Sequence, residues 1–373
     1  RDDDPVPGDE WQVDDPADHG IDAATLEQAR DYAFQDGRNT QGVVVVHDGA
    51  IVAEWYADGA GPDSWAASWS MAKSFTSALV GIAIEDGLIP GVDEPMSTWY
   101  PEWAEDERAA ITLEDVLQMS SGLQWNENYD PAQGMSDVIA MVTGPSDQLA
   151  FVSDPAVDVE PQVDFNYSSG STMLLSGVLE QATGMPPHEY VRQEIFEPLG
   201  MDQAEWWQDA EGHTLTYCCL DTTSRGFARF GLLFEREGEW GDEQVVPEEW
   251  VEASLTPGAA TDGQYGYQWW LGQPEGFPED FFAARGHDGQ FIYVVPSLDL
   301  VVVRNGTYVK DDGPAVADPT LFEHYPSDGL VPGRGTTPPD EWDEATFLGP
   351  IIEAVQAAED AEDAGEAAGD GDD

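Results

Sequence analysis

Ser70 and Lys73 stand one helical turn apart in the stretch SWSMAKSF (68–75), and their types and spacing could do chemistry. A serine hydroxyl is a weak nucleophile until a neighbour takes its proton. An amine on the same helix face can take it when its site favours the neutral form. Composition makes the pair informative: with 19 serines and only two lysines, Lys73 and Lys310, about 0.1 such pairs arise by chance. The run WSMAKSFTSALVGIAIEDG predicts a helix from about Met71 to Asp86, closed by Gly87, with Ser70 at its N-terminus. Free N–H groups and positive potential there suit a developing oxyanion. Lys73 falls inside this strongly apolar helix, where an unpaired ammonium is costly.

Two later stretches could complete a site. In FNYSSGSTMLLSGVLEQATG (165–184), Tyr167 precedes an amphipathic helix, and a phenol near an ammonium could act as general base and then reprotonate a leaving group. In ARGHDGQFIYVVP (284–296), Gly286 and Gly289 frame His287 at the start of a strand. Glycine there permits close backbone approach, and the N–H of Gln290 could join that of Ser70 in an oxyanion hole. Trp269 or Trp270 could wall the pocket, with core packing as the alternative for either. His47 and Asp48 read as turn chemistry. No His, Asp or Glu spacing matches a metal-ligand pattern and no glycine-rich phosphate loop is present, so no metal or cofactor is expected.

These residues need a scaffold, and 373 residues with 41% hydrophobic content supply one. TLEQARDYAFQDG (25–37) has helical spacing; GVVVVHDGAIVAEWY (42–56) is two β-rich runs around Asp48-Gly49; residues 281–306 give three more short strands. Thr112 and Asp115 resemble a capping box, and helices are expected at 171–184, 224–238 and 247–255. The expected architecture is α/β of the α+β type: a five-stranded antiparallel sheet built from both ends of the chain and flanked by helices, with an inserted all-α lobe. That divides the chain into an acidic flexible lead-in (1–20), one catalytic domain (sheet lobe 21–86 and 260–355, helical lobe 87–259) and a disordered acidic tail (356–373). Cys218 and Cys219 are expected to be two thiols, since a ring between neighbours is strained.

A formal net charge of −62 excludes most nucleic-acid binding and disfavours an anionic membrane surface. At about 1 M salt the screening length falls to roughly 3 Å and self-repulsion largely disappears. The charge is therefore read as adaptation to high salt. No apolar run reaches membrane-spanning length. The compartment and the oligomeric state stay open.

The order S-x-x-K, then Y-x-S, then H-x-G on a late strand resembles the serine β-lactamase and penicillin-binding superfamily. Within it the chain is similar to the class C-like branch of esterases, D-aminopeptidases and 6-aminohexanoate-dimer hydrolases. Further echoes are TLEDVLQMSSGLQW (112–125), residues 218–251, YGYQWW (265–270) and GHDGQFIYVVPSLDLVVVRNG (286–306). The resemblance implies Ser70 as nucleophile, Lys73 as its partner, Tyr167 as the catalytic tyrosine, and Gln290 as the oxyanion residue. His287 and Gly289 stand where K-T-G occurs, Ser169 stands where Y-x-N carries asparagine, and Tyr129 matches a substrate-contacting tyrosine. Ser169, His287, Gly289, Tyr129 and Trp269 are the expected substrate-binding residues. The two departures favour a small-molecule ester or amide substrate. A β-lactamase or D-Ala-D-Ala-type carboxypeptidase, and a penicillin-binding sensor that is acylated without turnover, are the alternatives.

Overall fold

The computed structural model describes residues 6–8, 10–129, 134–306 and 342–369, with side-chain surroundings described as far as Glu362. Asp48 and Gly49 both take left-handed φ (49° and 74°), the geometry of a tight hairpin turn between β1 (Thr40–His47) and β2 (Ala50–Tyr56). Three strands from the other end of the chain, β8 (Phe282–Gly286), β9 (Gln290–Val295) and β10 (Leu300–Gly306), complete an antiparallel sheet in the order β2-β1-β10-β9-β8. Val44 pairs with Val303 and Val46 with Val301.

Successive side chains of a strand point to opposite faces, and both faces of this sheet are covered. Val43 and Val45 join Leu26, Ala29, Phe347 and Ile351 beneath the helices Ala23–Ala33 and Glu344–Gly369. Val44 and Val46 join Phe227, Phe230, Ile292 and Val301 on the other side. That explains why β1 reads as an unbroken valine run with no alternation.

The expected five-stranded sheet is present, but several boundaries differ. The inserted region is not all-α. β3 (Trp65–Ala67), β4 (Ala204–Trp206) and β5 (Leu220–Thr223) form a three-stranded sheet in the order β3-β5-β4, and β6 (Glu239–Trp240) pairs with β7 (Glu243–Gln244). These strands are two to four residues long, too short to show a two-residue period. The helix Ser224–Glu235, placed by sequence in the helical lobe, packs on the large sheet through Phe227 and Phe230.

The lead-in is not flexible from Glu10 onward. Trp11 is buried and donates its indole N–H to the carbonyl of Arg225 (3.2 Å), and Asp14 N–H donates to Ile51 O (2.9 Å). At the other end the helix runs through 356 to Gly369, with Ala358 still buried. Cys218 and Cys219 are joined as a disulfide. Cys219 is left-handed (φ 66°), which turns the chain so that two neighbouring side chains face each other. Residues 370–373 of the expected tail and 1–5 of the lead-in lie outside the described residues.

Trp269 is wholly buried. It stacks on Phe230 (ring centroids 5.9 Å) and meets Phe234 (4.6 Å) and Phe282 (5.1 Å). It is a core residue and does not wall a pocket; its neighbour Trp270 points the other way. Trp269→Ala should therefore cost about 3–5 kcal/mol of stability, read as a lowered unfolding midpoint. Trp270→Ala should cost much less stability and act on turnover. Equal midpoints for wild type and Trp269→Ala would return Trp269 to the surface of the site.

Candidate active site

The short sheet positions Ser70. β3 leads into Ser68, whose N–H donates to Leu220 O (2.9 Å) while its hydroxyl oxygen accepts from Leu220 N–H (3.0 Å). Trp69 then takes a left-handed φ of 45°, uncommon for a bulky side chain and of a kind that clusters at functional sites. A single 3-10 turn, Trp69–Met71, carries Ser70 and feeds the helix Ala72–Glu85. The expected helix is thus present, with its first turn tightened. Residues Ala72 to Ala83 are all buried, Lys73 among them at 1% exposure.

Lys73 Nζ lies 3.0 Å from each of three oxygens: Ser70 Oγ, Ser169 Oγ and the carbonyl of Tyr217. The partners are not equivalent. A carbonyl can only accept. Ser169 already donates its hydroxyl proton to Glu127 Oε1 (2.6 Å), so toward Lys73 it too must accept. Ser70 is the partner of the three that can reverse its role. When Lys73 is neutral, its two protons serve Tyr217 and Ser169 and its lone pair faces the Ser70 hydroxyl. Burial lowers Lys73 from its ordinary value to about 8, against the opposing pull of the Glu127 charge.

Tyr167 sits over the same centre. Lys73 Nζ is 4.9 Å from its ring centroid. Burial, reinforced by the Glu127 charge, pushes the phenol above its usual range, with nearby Ser70 opposing the rise only weakly. Tyr167 is held as a neutral phenol. Trp270 stacks on it (5.4 Å, 29° between planes) and is fixed to the sheet edge by reciprocal backbone bonds with Ala283 (3.0 and 2.8 Å).

The β8–β9 turn closes the other side. A Cβ on Gly286 would fall 2.3 Å from Ser68 O, so only glycine lets this strand end press against the nucleophile turn. Asp288 and Gly289 are both left-handed (φ 58° and 77°), and the buried Arg304 guanidinium donates to their carbonyls (3.2 and 2.6 Å). A Cβ on Gly289 would meet Arg304 Nη1 at 2.3 Å. Gly289 therefore shapes the turn. Gln290 side chain is tied to Gly306 through its own amide (3.2 Å) and to Asn305 (3.1 Å), fixing the backbone that follows the turn. His287 is stacked by Tyr129 (4.8 Å, 27°) and edged by Trp69 (5.6 Å). Tyr129, Gly286, His287 and Gly289 line one cavity of about 660 Å³.

The structure thus gathers Ser70, Lys73, Tyr167 and Ser169 at one centre, with His287, Gly289, Gln290 and Tyr129 on the adjoining turn and loop. Trp269 is excluded from both. Sequence reasoning missed Glu127. Its carboxylate accepts from Trp125 Nε1, Tyr129 OH (2.6 Å), Ser169 Oγ (2.6 Å) and Ser169 N–H (2.9 Å), at the N-terminus of the helix Ser169–Thr183. Ser169 is buried within this network, with its hydroxyl oxygen 3.0 Å from Lys73 Nζ.

This fold and this lysine-backed serine define the class of serine hydrolases that includes β-lactamases and penicillin-binding proteins. The family model for Beta-lactamase matches residues 23–321, and the chain belongs to that family. It is 26% identical over 294 residues to a 6-aminohexanoate-dimer hydrolase of Paenarthrobacter ureafaciens, covering 73% of this chain and 74% of that one. Among solved structures, a D-stereospecific amidohydrolase from Streptomyces sp. superposes with a TM-score of 0.59 at 19% identity, covering 76% of this chain and 94% of that one. The octameric penicillin-binding protein homologue from Pyrococcus abyssi gives 0.62 at 20% identity, over 77% and 73%.

With Lys73 as the base that takes the Ser70 proton, kcat/KM should fall about tenfold per pH unit below a midpoint near 8 and level off above it. Glu127 favours the ammonium, so Glu127→Gln should move this limb to lower pH. A flat profile from pH 6 to 9, or a limb unmoved in Glu127→Gln, would contradict the assignment.

Proposed function

We propose that this hydrolase cleaves small esters and amides, amino-acid-derived ones included, through an acyl-enzyme on Ser70. The observation that carries the reading is Lys73 Nζ 3.0 Å from Ser70 Oγ, with its two other partners able only to accept. Ser70 Oγ attacks the substrate carbonyl and its proton passes to Lys73. The N–H groups of Ser70 and Gln290 hold the oxyanion. Tyr167, whose ring lies over Lys73, gives a proton to the departing alcohol or amine and is resupplied by Lys73. Water then enters by the reverse route, a proton returning to Ser70 as the acid leaves.

His287 in place of the K-T-G lysine removes a fixed positive side chain from the position that suits a β-lactam carboxylate, and the neighbouring Arg285 is paired with Glu344. Glu127 adds a negative charge near Lys73. Both support neutral or amine-bearing substrates over anionic antibiotics. The similarity to a 6-aminohexanoate-dimer hydrolase makes short amides of ω-amino acids a natural part of the test panel. A panel of short nitrophenyl esters, such amides and a chromogenic cephalosporin separates the readings. Faster cephalosporin than ester hydrolysis would favour the β-lactamase alternative. Labelling of Ser70 by a serine-reactive probe without steady-state product would favour the sensor.

Ser70→Ala should abolish turnover with the circular dichroism spectrum unchanged. Tyr167→Phe should slow acylation by about 10²–10⁴-fold. An active Ser70→Ala protein would end the proposal, and a near-normal Tyr167→Phe would remove the phenol from the proton route.

The acidic surface supports function in concentrated salt. Activity and compactness should both decline when KCl is lowered below a few tenths molar, as measured by initial rates and scattering radius. Full stability in dilute buffer would refute the high-salt reading.

A further inference from the structure

At the far end of the large sheet the fold assembles a second group of donors that sequence spacing hides, since they come from residues 14–19 and 47–48. His19 Nδ1, His47 Nδ1 and Asp48 Oδ2 form a triangle with sides of 3.3, 3.3 and 3.4 Å. Zinc bonds of about 2.0–2.1 Å at the tetrahedral angle place neighbouring ligand atoms about 3.3–3.4 Å apart. The triangle has the edge length of a tetrahedral site.

Hydrogen-bond geometry points the same way. His19 Nε2 is 3.1 Å from Asp14 Oδ2, a bond that places a proton on Nε2 and turns Nδ1 inward toward His47 and Asp48. A divalent cation would bind all three inward atoms at once, each imidazole through Nδ1 with its proton on Nε2. A carboxylate holding the outer nitrogen of a ligating histidine is the arrangement that fixes tautomer and ring orientation in metal sites.

The donors are held on anchored backbone. Asp14 N–H bonds Ile51 O (2.9 Å), and Asp48 N–H bonds Asp299 O (3.2 Å). The His19 and His47 side chains are 12% and 5% exposed, while Asp48 is 41% exposed and leaves an open side for a fourth, water ligand. Two imidazoles and one carboxylate suit a borderline ion such as zinc and not hard magnesium or calcium.

We infer that His19, His47 and Asp48 form a zinc-class cation site, with Asp14 orienting His19, which pins the segment before the first helix to the β1–β2 turn. The site is remote from Ser70. β9 starts at Gln290 beside the nucleophile turn and runs its full length to the end of the sheet where Asp299 holds Asp48, about 20 Å away at 3.3 Å per residue. Its role is structural and independent of the hydrolytic reading.

The test uses the full chain, stripped by chelator and kept in molar KCl with excess Mg²⁺ to occupy surface carboxylates. Zn²⁺ is added alone, followed by calorimetry and thermal unfolding, and Co²⁺ is followed by its visible d–d absorption. One equivalent should bind, raise the unfolding midpoint and give a tetrahedral cobalt spectrum, with ester hydrolysis unchanged. Asp48→Asn keeps a residue that tolerates left-handed φ. It and His19→Gln should each weaken Zn²⁺ binding at least about tenfold and lose the midpoint rise. Absence of binding to the stripped wild type, or equal binding by wild type and both variants, would overturn the site.

Discussion

The active site depends on keeping an ammonium-forming side chain inside an apolar helix. Lys73 has 1% of its surface exposed, and water cannot solvate it there. Burial shifts the amine toward neutrality, the Glu127 charge limits that shift, and three oxygens fix the direction of the amine. An isolated buried cation would cost several kcal/mol. A cation with three good acceptors is tolerated, and one of those acceptors becomes a donor when the proton leaves. The same contacts that make the lysine bearable hold its amine against the Ser70 hydroxyl.

That constraint propagates outward through backbone. The Tyr217 carbonyl comes from the chain just before the joined cysteines and β5, and β5 is bonded to Ser68. Ser169 is the first residue of its helix and is held by Glu127 at that helix's positive end. The β8–β9 turn approaches because residue 286 has no side chain, and it stays because Arg304 grips two of its carbonyls. Ser70 and Lys73 thus share one turn of chain held by main-chain and buried polar bonds, while Tyr167 comes from a distant stretch and is held by the ring of Trp270.

Much of this was legible because rare residue types and strong periods leave clear marks. Lysine is so scarce that its placement after Ser70 stood out, and the Asp48-Gly49 turn and the Thr112–Asp115 capping box carry local geometry in their residue types. What was hidden has equally physical causes. Glu127 is one acid among 75, and no local pattern distinguishes a carboxylate with four donors from a solvated one. Trp269 and Trp270 are adjacent, so one faces the core and the other the site, and composition cannot say which. Strands β3 to β5 are too short to show a period. Trp11 in the lead-in owes its order to a tertiary contact with Arg225, which no local propensity encodes.

The acidic composition ties these points together. In a chain this negative, a basic side chain placed at random on the surface would have abundant partners and little structural meaning. The cations instead concentrate where internal geometry needs a donor. Arg304 and Arg229 are buried and bond backbone carbonyls, including Gly289 and Leu199 (2.6 Å each). Arg225 clasps Glu54, Arg285 clasps Glu344, and Arg108 bridges Asp106 and Asp154. The buried and bidentate contacts among these are screened far less by salt than exposed pairs such as Arg108–Asp154. Concentrated electrolyte can therefore relieve repulsion among the surface acids while leaving these internal bonds intact. Lys73 belongs to the same set, and its survival in a nearly lysine-free chain is the strongest sign that its position is chemical.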